Sequence, residues 1–337
     1  MKRKKKTILI CLIVFITLIV SIMILNIMPQ KTLENQKYYS YDSPLQVTIT
    51  SDNKSFSVSH KDTTWEVSEF GKIPINESFC NMLFNSAKSL NAESIFNPPN
   101  NLSDYGLENP KIKVKIEFDG YSKTLKIGNI NPDKTAYYCL EESKNEIALI
   151  PISQIKPFLK EHFQYANLNL IPYSGKKLDQ DGNWISGGIT KCKIEKNNTK
   201  TPIEITTNND GKLNIINPSN LTVKEDTRIQ LENSPFTLTA NEVYTINPSD
   251  ATIKSCGLHF PQTTVTYIID GETYTFKIGS VSDSKQYSHL EHEDLHQKDH
   301  EDENTVHKSH YVMINDIPAI YSVSESNLPW LNMSFDH

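Results

Sequence analysis

The sequence predicts an α+β protein, in which an N-terminal single transmembrane helix precedes a duplicated α+β ectodomain built from antiparallel hairpins with one main helix per copy. Three observations support this prediction. A long uncharged run stands near the N-terminus, a set of motifs recurs at a nearly constant spacing, and runs of alternating apolar and polar residues are separated by turn residues. Together they divide the chain into an anchor and two related units.

The N-terminal segment has the composition of a signal anchor. Residues 1–6 hold five Lys or Arg and no acid, and residues 7–28 form an uncharged run of 22 residues, 18 of them apolar. A helix of that length would be about 33 Å long, enough to cross the ~30 Å hydrocarbon core of a bilayer. A cleaved signal peptide, the alternative, has a shorter apolar run and a small-residue cleavage site. The positive-inside rule therefore predicts a single-pass cell-membrane protein with a cytoplasmic N-terminus and an extracytoplasmic C-terminal ectodomain.

Several motifs occur twice. Tyr105–Pro110 reads Tyr-Gly-Leu-Glu-Asn-Pro, and Cys256–Pro261, at an offset of 256 − 105 = 151, reads Cys-Gly-Leu-His-Phe-Pro. At the same offset an Asp-Gly pair follows at Asp119 and again at Asp270, and a Lys-Ile-Gly run ends at Gly128 and Gly279. Gly-Leu-x-x-Pro is typical of a tight turn, and Asp-Gly is typical of a hairpin, so we expect structural roles for both. The predicted segments are a basic tail 1–6, the anchor 7–28, a linker 29–45, repeat one 46–165, a linker 166–186, repeat two 187–331 and a tail 332–337.

Each repeat, called copy one and copy two below, reads as strands around one main helix. In copy one, alternation predicts strands at 46–50 and 55–60 and a hairpin at 136–140 and 146–150. Apolar residues at helical spacing predict a helix at about 76–90, with Asn76 as its cap. The main helix of copy two is less regular because Pro235 falls near its end. Four cysteines follow the anchor, and their irregular spacing favours single thiols over disulfides: Cys80, Cys139, Cys192 and Cys256.

At several of these motifs the sequence resembles a bacterial family, the domain-of-unknown-function 4340 family. The resemblance rests on the Tyr105–Pro110 motif, the Asp119-Gly120 hairpin, the Ile127-Gly128 strand end and Tyr137-Tyr138. It implies a membrane-anchored envelope protein of the kind often encoded beside ABC transporters of the gliding type. It transfers no catalytic residue, because the family has no established ones.

The net charge and the absence of known catalytic motifs argue against several functional classes for this protein. The chain after the anchor holds 29 Lys or Arg and 40 Asp or Glu, a net charge of 29 − 40 = −11, which disfavours nucleic acid as a partner. No motif for a nucleophile, a zinc protease or a phosphate loop is present. We therefore expect a non-enzymatic accessory or scaffold protein that needs no cofactor. The family resemblance implies other membrane or envelope proteins, including ABC transporter subunits, as its partners. The alternatives are a ligand-binding or metal-buffering ectodomain and, third, an envelope enzyme.

A His-rich segment, 289–310, interrupts copy two. It holds six of the ten histidines and seven acids. Tyr138 matches Tyr311 at an offset of 173, so 173 − 151 = 22 residues are inserted before Tyr311, in a surface hairpin. Four histidines are spaced 3, 4 and 4 residues apart, which on a helix would form one stripe able to bind zinc weakly: His289, His292, His296 and His300. A solvated acidic loop and a pH-responsive loop are the alternatives.

Zinc titration distinguishes these interpretations. If the four histidines chelate along a helical stripe, Zn²⁺ should bind the protein and raise its helical circular dichroism signal. Binding should weaken below about pH 6.5, because a protonated imidazole cannot be a ligand. Replacing His292 and His296 together by Ala should remove most of the binding measured by calorimetry. Absence of Zn²⁺ uptake at neutral pH would favour the solvated loop instead.

Overall fold

The computed structural model describes residues 36–333 except for 53, 99–100, 172–176, 179–183, 186–187, 209–212, 220–221, 223 and 283–307. Strands hold 46% and helices 21% of these residues, so the fold is mostly β and the predicted α+β class is wrong. The predicted hairpins do form, but each joins its neighbours edge to edge. An isolated hairpin leaves backbone groups unpaired on both edges and is only marginally stable, so the strands combine into two large antiparallel sheets.

The predicted membrane topology is corrected as well. Within the described part of the chain, no helix has the length and apolar character that a membrane crossing requires. The longest helix there has 13 residues, or about 20 Å, against the ~30 Å of a hydrocarbon core. Residues 7–28, on which the single-pass prediction and the cell-membrane location rested, lie outside the described residues.

Copy one forms an eight-stranded antiparallel sheet. Its strands are β2 (Gln46–Ser51), β3 (Lys54–Lys61), β4 (Thr64–Val67), β6 (Ser94–Phe96), β7 (Ile112–Glu117), β8 (Ser122–Ile130), β9 (Ala136–Glu141) and β10 (Ile147–Pro151), in the order β4-β3-β2-β7-β8-β9-β10-β6. Beside the sheet, β1 (Gln36–Ser40) pairs with β5 (Ser89–Ala92), so part of the segment predicted as a linker, 29–45, is a strand.

Copy two forms a second sheet with the same strand arrangement. Its strands are β13 (Ile189–Lys196), β14 (Ile203–Thr207), β15 (Leu213–Asn217), β16 (Glu242–Ile246), β17 (Thr263–Ile269), β18 (Glu272–Val281), β19 (Ser309–Ile314) and β20 (Ala319–Ser324), in the order β15-β14-β13-β17-β18-β19-β20-β16. Between the sheets, β11 (Lys177–Leu178) pairs with β12 (Trp184–Ile185). The shared strand order is the arrangement that a duplication predicts.

Individual hydrogen bonds also recur at the offsets read from the sequence. Asn131 N–H donates to Ala136 O over 2.8 Å, and Ser282 N–H donates to Ser309 O over the same distance. Four residues lie between the first pair and 26 between the second, a difference of 22. The extra residues therefore lie in the connection between β18 and β19, which is closed by the same backbone hydrogen bond that closes the β8–β9 connection in copy one.

The helices are few and short. They are α1 (Glu77–Lys88), α2 (Ile152–Ile155), α3 (Glu225–Thr237) and α4 (Asp250–Ser255), with 3₁₀ turns at Ser103–Tyr105, Lys156–Leu159, His162–Tyr165, Glu325–Asn327 and Pro329–Leu331. Helix α1 confirms the predicted main helix of copy one: the Asn76 side chain accepts from Phe79 N–H over 3.3 Å. Its core-facing side chains recur at helical spacing: Cys80, Leu83, Phe84 and Ala87.

Helix α3 is anchored from outside. It contains Pro235 and has no side-chain cap at its start, so it needs tertiary contacts. Tyr267 Oη donates to Leu231 O over 3.1 Å, and Trp330 Nε1 donates to Tyr267 Oη over 2.9 Å. The Trp330 ring also stacks on Phe276, with 5.6 Å between centroids. The end of copy two thus secures its main helix against its sheet.

The two copies share one continuous hydrophobic core. Residues just after copy one pair with the segment that precedes β16. Leu170 N–H donates to Leu238 O over 3.0 Å, and Ala240 N–H donates to Leu168 O over 2.8 Å. These bonds hold residues 168–170, part of the segment predicted as a linker, against copy two.

The repeated Gly-Leu turn covers the outer face of each sheet at one end. Gly106 and Gly257 have φ of +67° and +71°, a conformation that favours glycine. The turn lies so close to the sheet that a Cβ on Gly128 would be 2.1 Å from Tyr105 O, and one on Gly279 would be 2.1 Å from Cys256 O. The leucines then fill small clusters separate from the main core. The motif is therefore a packing device, as its turn chemistry predicts.

Removing the leucine of the turn should destabilise the fold. Leu107 and Leu258 are 0% and 2% exposed, so Leu107→Ala or Leu258→Ala should cost about 2–5 kcal/mol of unfolding free energy in urea titrations. Leu45, which is 51% exposed, offers a matched control, and Leu45→Ala should change stability by less than about 0.5 kcal/mol. Equal effects of the core and surface substitutions would contradict the packing role.

The residues between Ser282 and Ser309 should be dispensable for folding, whereas those of β19 should not. Replacing the 26 residues between Ser282 and Ser309 by the four-residue loop of copy one should preserve the thermal transition, since shortening the loop changes its closure entropy by about 1.6 kcal/mol at most. Deleting 289–310, the predicted insertion, should instead destabilise the protein, because it removes the buried His310 from β19. Unfolding of the short-loop variant would refute the alignment of the copies.

Candidate functional site

The predicted metal ligands lie outside the described residues: His289, His292, His296 and His300. Their binding of zinc therefore stays a prediction. The last histidine of the predicted insertion, His310, is described and lies in β19 with a buried ring. Among the residues that the structure describes, no three His, Cys, Asp or Glu side chains are grouped as a metal site would require.

A polar pocket opens where the insertion leaves and rejoins copy two. Its volume is about 320 Å³, and we call it the copy-two pocket. Strand ends of β13, β18 and β19 and the two 3₁₀ turns after β20 position its walls. The lining residues that matter for its chemistry are Lys196, Gln262, Lys308, His310, Glu325 and Asn332.

His310 forms the buried wall of the copy-two pocket. Its Nδ1 lies 2.8 Å from the Gln262 side-chain amide and 3.3 Å from Gly279 O. Its Nε2 lies 3.6 Å from a carboxylate oxygen of Glu325. The ring is thus fixed from both sides, with one nitrogen turned to the sheet and the other to an acid.

Glu325 is held in its ionised form. The Asn332 amide donates to Glu325 Oε1 over 2.9 Å, and this bond is the largest cause that lowers the pKa of Glu325. His310 and the cation of Lys308 lower it further. The carboxylate is therefore satisfied by groups of the pocket itself.

Lys196 is the second cation of the copy-two pocket. It is the last residue of β13, is partly buried, and its Nζ donates to Leu331 O over 3.1 Å. Burial lowers the pKa of Lys196 because an ammonium group loses hydration there. Lys308, by contrast, is exposed at the rim.

Copy one lacks this set of groups although it has the same backbone. The offset of 173 places Thr135, Tyr137 and Ile152 where copy two has Lys308, His310 and Glu325. The backbone bond from Glu325 N–H to Lys308 O, 2.8 Å, recurs from Ile152 N–H to Thr135 O, 3.0 Å. Strand pairing equates Lys196, opposite Thr263, with Ser51, opposite Ile112. The fold alone does not need the polar groups of copy two.

A second cavity lies between the copies. It has a volume of about 300 Å³, with an apolar floor and polar side chains around it. The floor comes from Phe79, Leu159, Phe163, Leu168 and Val243. On the copy-one side Lys160 Nζ lies 4.1 Å from the centre of the Phe79 ring. On the copy-two side, burial raises the pKa of Glu242.

The cysteines within the described part of the chain supply no reactive thiolate at neutral pH. The four that the structure describes are buried and unpaired, which confirms the expected single thiols: Cys80, Cys139, Cys192 and Cys256. Burial raises the pKa of Cys80 and of Cys192 to about 12 and raises that of the other two. A thiol that stays protonated is a weak nucleophile, so these side chains act as core residues.

Sequence reasoning located the insertion but missed the copy-two pocket. The signal was present, because comparing the copies at an offset of 173 shows a Tyr replaced by His310 and an Ile replaced by Glu325. Lys196 could not be found in this way, since its match with Ser51 follows only from the strand register.

Comparison with known proteins identifies one family to which the chain is similar, without a matching curated protein or solved structure. The family described as Domain of unknown function (DUF4340) matches residues 65–233, from β4 to α3, which is 169 of the 337 residues. The match spans most of copy one and the beginning of copy two. Since it covers half of the chain, the protein belongs to the DUF4340 family.

Proposed function

We propose that the protein is a non-enzymatic binding module that serves as an accessory or scaffold subunit, and that its partner contacts copy two around the copy-two pocket. The observation that carries this proposal is the difference between the copies. Equivalent backbone positions hold Ser, Thr, Tyr and Ile in copy one and Lys196, Lys308, His310 and Glu325 in copy two. Lys196 and Glu325 are partly buried. Partly buried charged groups are costly for folding, so a role in binding accounts for these two better than stability does.

The chemistry of the described residues favours binding over catalysis. The thiols are buried and protonated, and the His310 ring is bonded to the framework through Gln262 and Gly279. The pocket instead offers cations and amide groups, which recognise polar ligands without making or breaking bonds. This supports a recognition site, in keeping with the absence of catalytic motifs from the sequence.

An exposed aromatic ring favours a protein partner. Phe260, in the Gly-Leu turn of copy two, is 81% exposed and stands two residues before Gln262 of the pocket. Its counterpart in copy one, at an offset of 151, is Asn109. Aromatic side chains of this kind are enriched at the centres of protein interfaces. The family resemblance supports an envelope protein or an ABC transporter subunit as the partner, and this class is part of the proposal.

Site-directed photo-crosslinking in the native host cells tests the proposal. A benzoylphenylalanine placed at Phe260 or Lys308 should crosslink to the same partner, because both positions belong to copy two near the pocket. The matched positions of copy one, Asn109 and Thr135, are also exposed and should crosslink at least about tenfold less. The partner is identified by mass spectrometry of the crosslinked band. Equal crosslinking from both copies, or crosslinking from copy one alone, would refute the proposal.

A second candidate function is the binding of a small amphipathic molecule, and the cavity between the copies favours it. Its apolar floor and polar surroundings are typical of small-molecule sites, and its volume of about 300 Å³ lies at the lower end of their range. Native mass spectrometry of the purified protein should then detect a bound molecule that Val243→Trp removes by filling the cavity. A ligand-free mass for the wild-type protein would contradict this function. Metal buffering by the His-rich segment 289–310 rests on His289, His292, His296 and His300, which lie outside the described residues, and stays a prediction.

A further inference from the structure

One cation of the copy-two pocket, Lys196, has no anionic partner among the residues that the structure describes. The Nζ of Lys196 donates to Leu331 O, which leaves two of its three N–H groups for other acceptors. Among the described residues, no carboxylate lies within 4.0 Å of this nitrogen. The ammonium group has lost part of its hydration without gaining an ion pair, and this burial lowers the pKa of Lys196. Such a group is stabilised by any anion that enters the pocket.

The acid already present in the pocket does not fill this role. Glu325 is bonded to Asn332, lies 3.6 Å from His310 and is stabilised by the charge of Lys308. Among the described lining residues other than His310, the two lysines carry two positive charges and Glu325 carries one negative charge, an excess of about one positive charge. One further negative charge in the pocket would therefore neutralise this excess positive charge.

We infer that the copy-two pocket binds a carboxylate group of its ligand, with Lys196 as the principal contact and Lys308 as the second cation. This inference rests on the proposed binding function and names the chemistry that would be recognised. A carboxylate carries one negative charge, which the pocket can neutralise. A phosphate monoester carries nearly two and would be repelled by the nearby Glu325.

The cavity has the size for a small acid or for the tip of an acidic side chain. Its volume is about 320 Å³, and Asn197 and Asn198 line it with amide groups that can donate to carboxylate oxygens. A partner protein could supply the carboxylate from an exposed glutamate, and a free small acid could supply the same group. The shared chemistry is a monoanionic carboxylate.

Titration of the full chain by NMR tests this inference with defined probes. The first probe is glutamate blocked at both backbone ends, so that only its side chain is charged, and blocked glutamine is its neutral isostere. Butyrate and butyramide form the second pair, and inorganic phosphate is the third probe. Each carboxylate that binds should do so at least about tenfold more tightly than its amide, because the amide cannot neutralise Lys196. Tighter binding of blocked glutamate than of butyrate indicates a protein ligand, and the reverse indicates a free acid.

Matched variants locate the binding. Lys196→Met should weaken carboxylate binding about tenfold or more, whereas Lys193→Met should not, since Lys193 lies on the same strand but is already paired with Glu195 over 2.9 Å. Lys308→Met, at an exposed rim position, should weaken binding by a smaller factor and gives a second test if Lys196→Met does not fold. Circular dichroism confirms folding of each variant.

The pH dependence provides a further readout. Binding should weaken as the pH rises through the pKa of Lys196, which burial places below that of an ordinary lysine, and binding should in turn raise that pKa. Lys308, His310 and Glu325 face the same pocket, and at acidic pH binding should be lost once the ligand carboxylate itself is protonated.

Equal binding of acid and amide, binding that survives Lys196→Met, tighter binding of phosphate, or no binding of either carboxylate would each overturn the inference. These outcomes are separable from failure of the proposed function. Carboxylate binding without crosslinks from copy two would refute the scaffold role and leave the pocket chemistry standing. Crosslinks from copy two without carboxylate binding would support the scaffold role and refute the inferred pocket chemistry.

Discussion

An antiparallel sheet that is apolar on one face must bury that face, and the rest of this structure depends on that requirement. In β17 the core-facing side chains alternate strictly with half-exposed ones, so that Val265, Tyr267 and Ile269 point inward. Helix α1 in copy one, and helix α3 with Trp330 in copy two, cover the apolar faces. Because the two sheets share this core, the strand ends and connections at its margin remain free to diverge.

The divergence is concentrated at one end of copy two. The backbone bond that closes the β8–β9 connection in copy one also closes the β18–β19 connection, around 22 additional residues. Next to this point copy two replaces Tyr137 and Ile152 of copy one by His310 and Glu325. A duplicated fold can accept such changes because His310 lies near the start of β19 and Glu325 just after β20, at the margin of the core that Val312 and Val323 continue. The copy-two pocket and the insertion are therefore adjacent additions to a frame that is complete without them.

The sequence predicted local structure better than it predicted the fold class. Strands such as β2 and the main helix α1 follow from side-chain periodicity and from Asn76 as a cap, because these signals depend on neighbours in the chain. The joining of hairpins into eight-stranded sheets depends on contacts between residues far apart in sequence, such as Val47 with Ile116, and no local pattern encodes it. Lys196 was missed for the same reason, because it joins His310 in the pocket only after β13, β17, β18 and β19 have paired.

We propose that copy two carries a binding site on a frame that both copies share. The most direct test exchanges the pocket groups for their copy-one counterparts in a single variant, Lys196→Ser, Lys308→Thr, His310→Tyr and Glu325→Ile. Circular dichroism and NMR titration with blocked glutamate are then recorded on the full chain. We expect the variant to keep the circular dichroism signal of its strands and its cooperative thermal transition, and to bind blocked glutamate no longer. A variant that still binds blocked glutamate with wild-type affinity, or that no longer folds, would contradict this proposal.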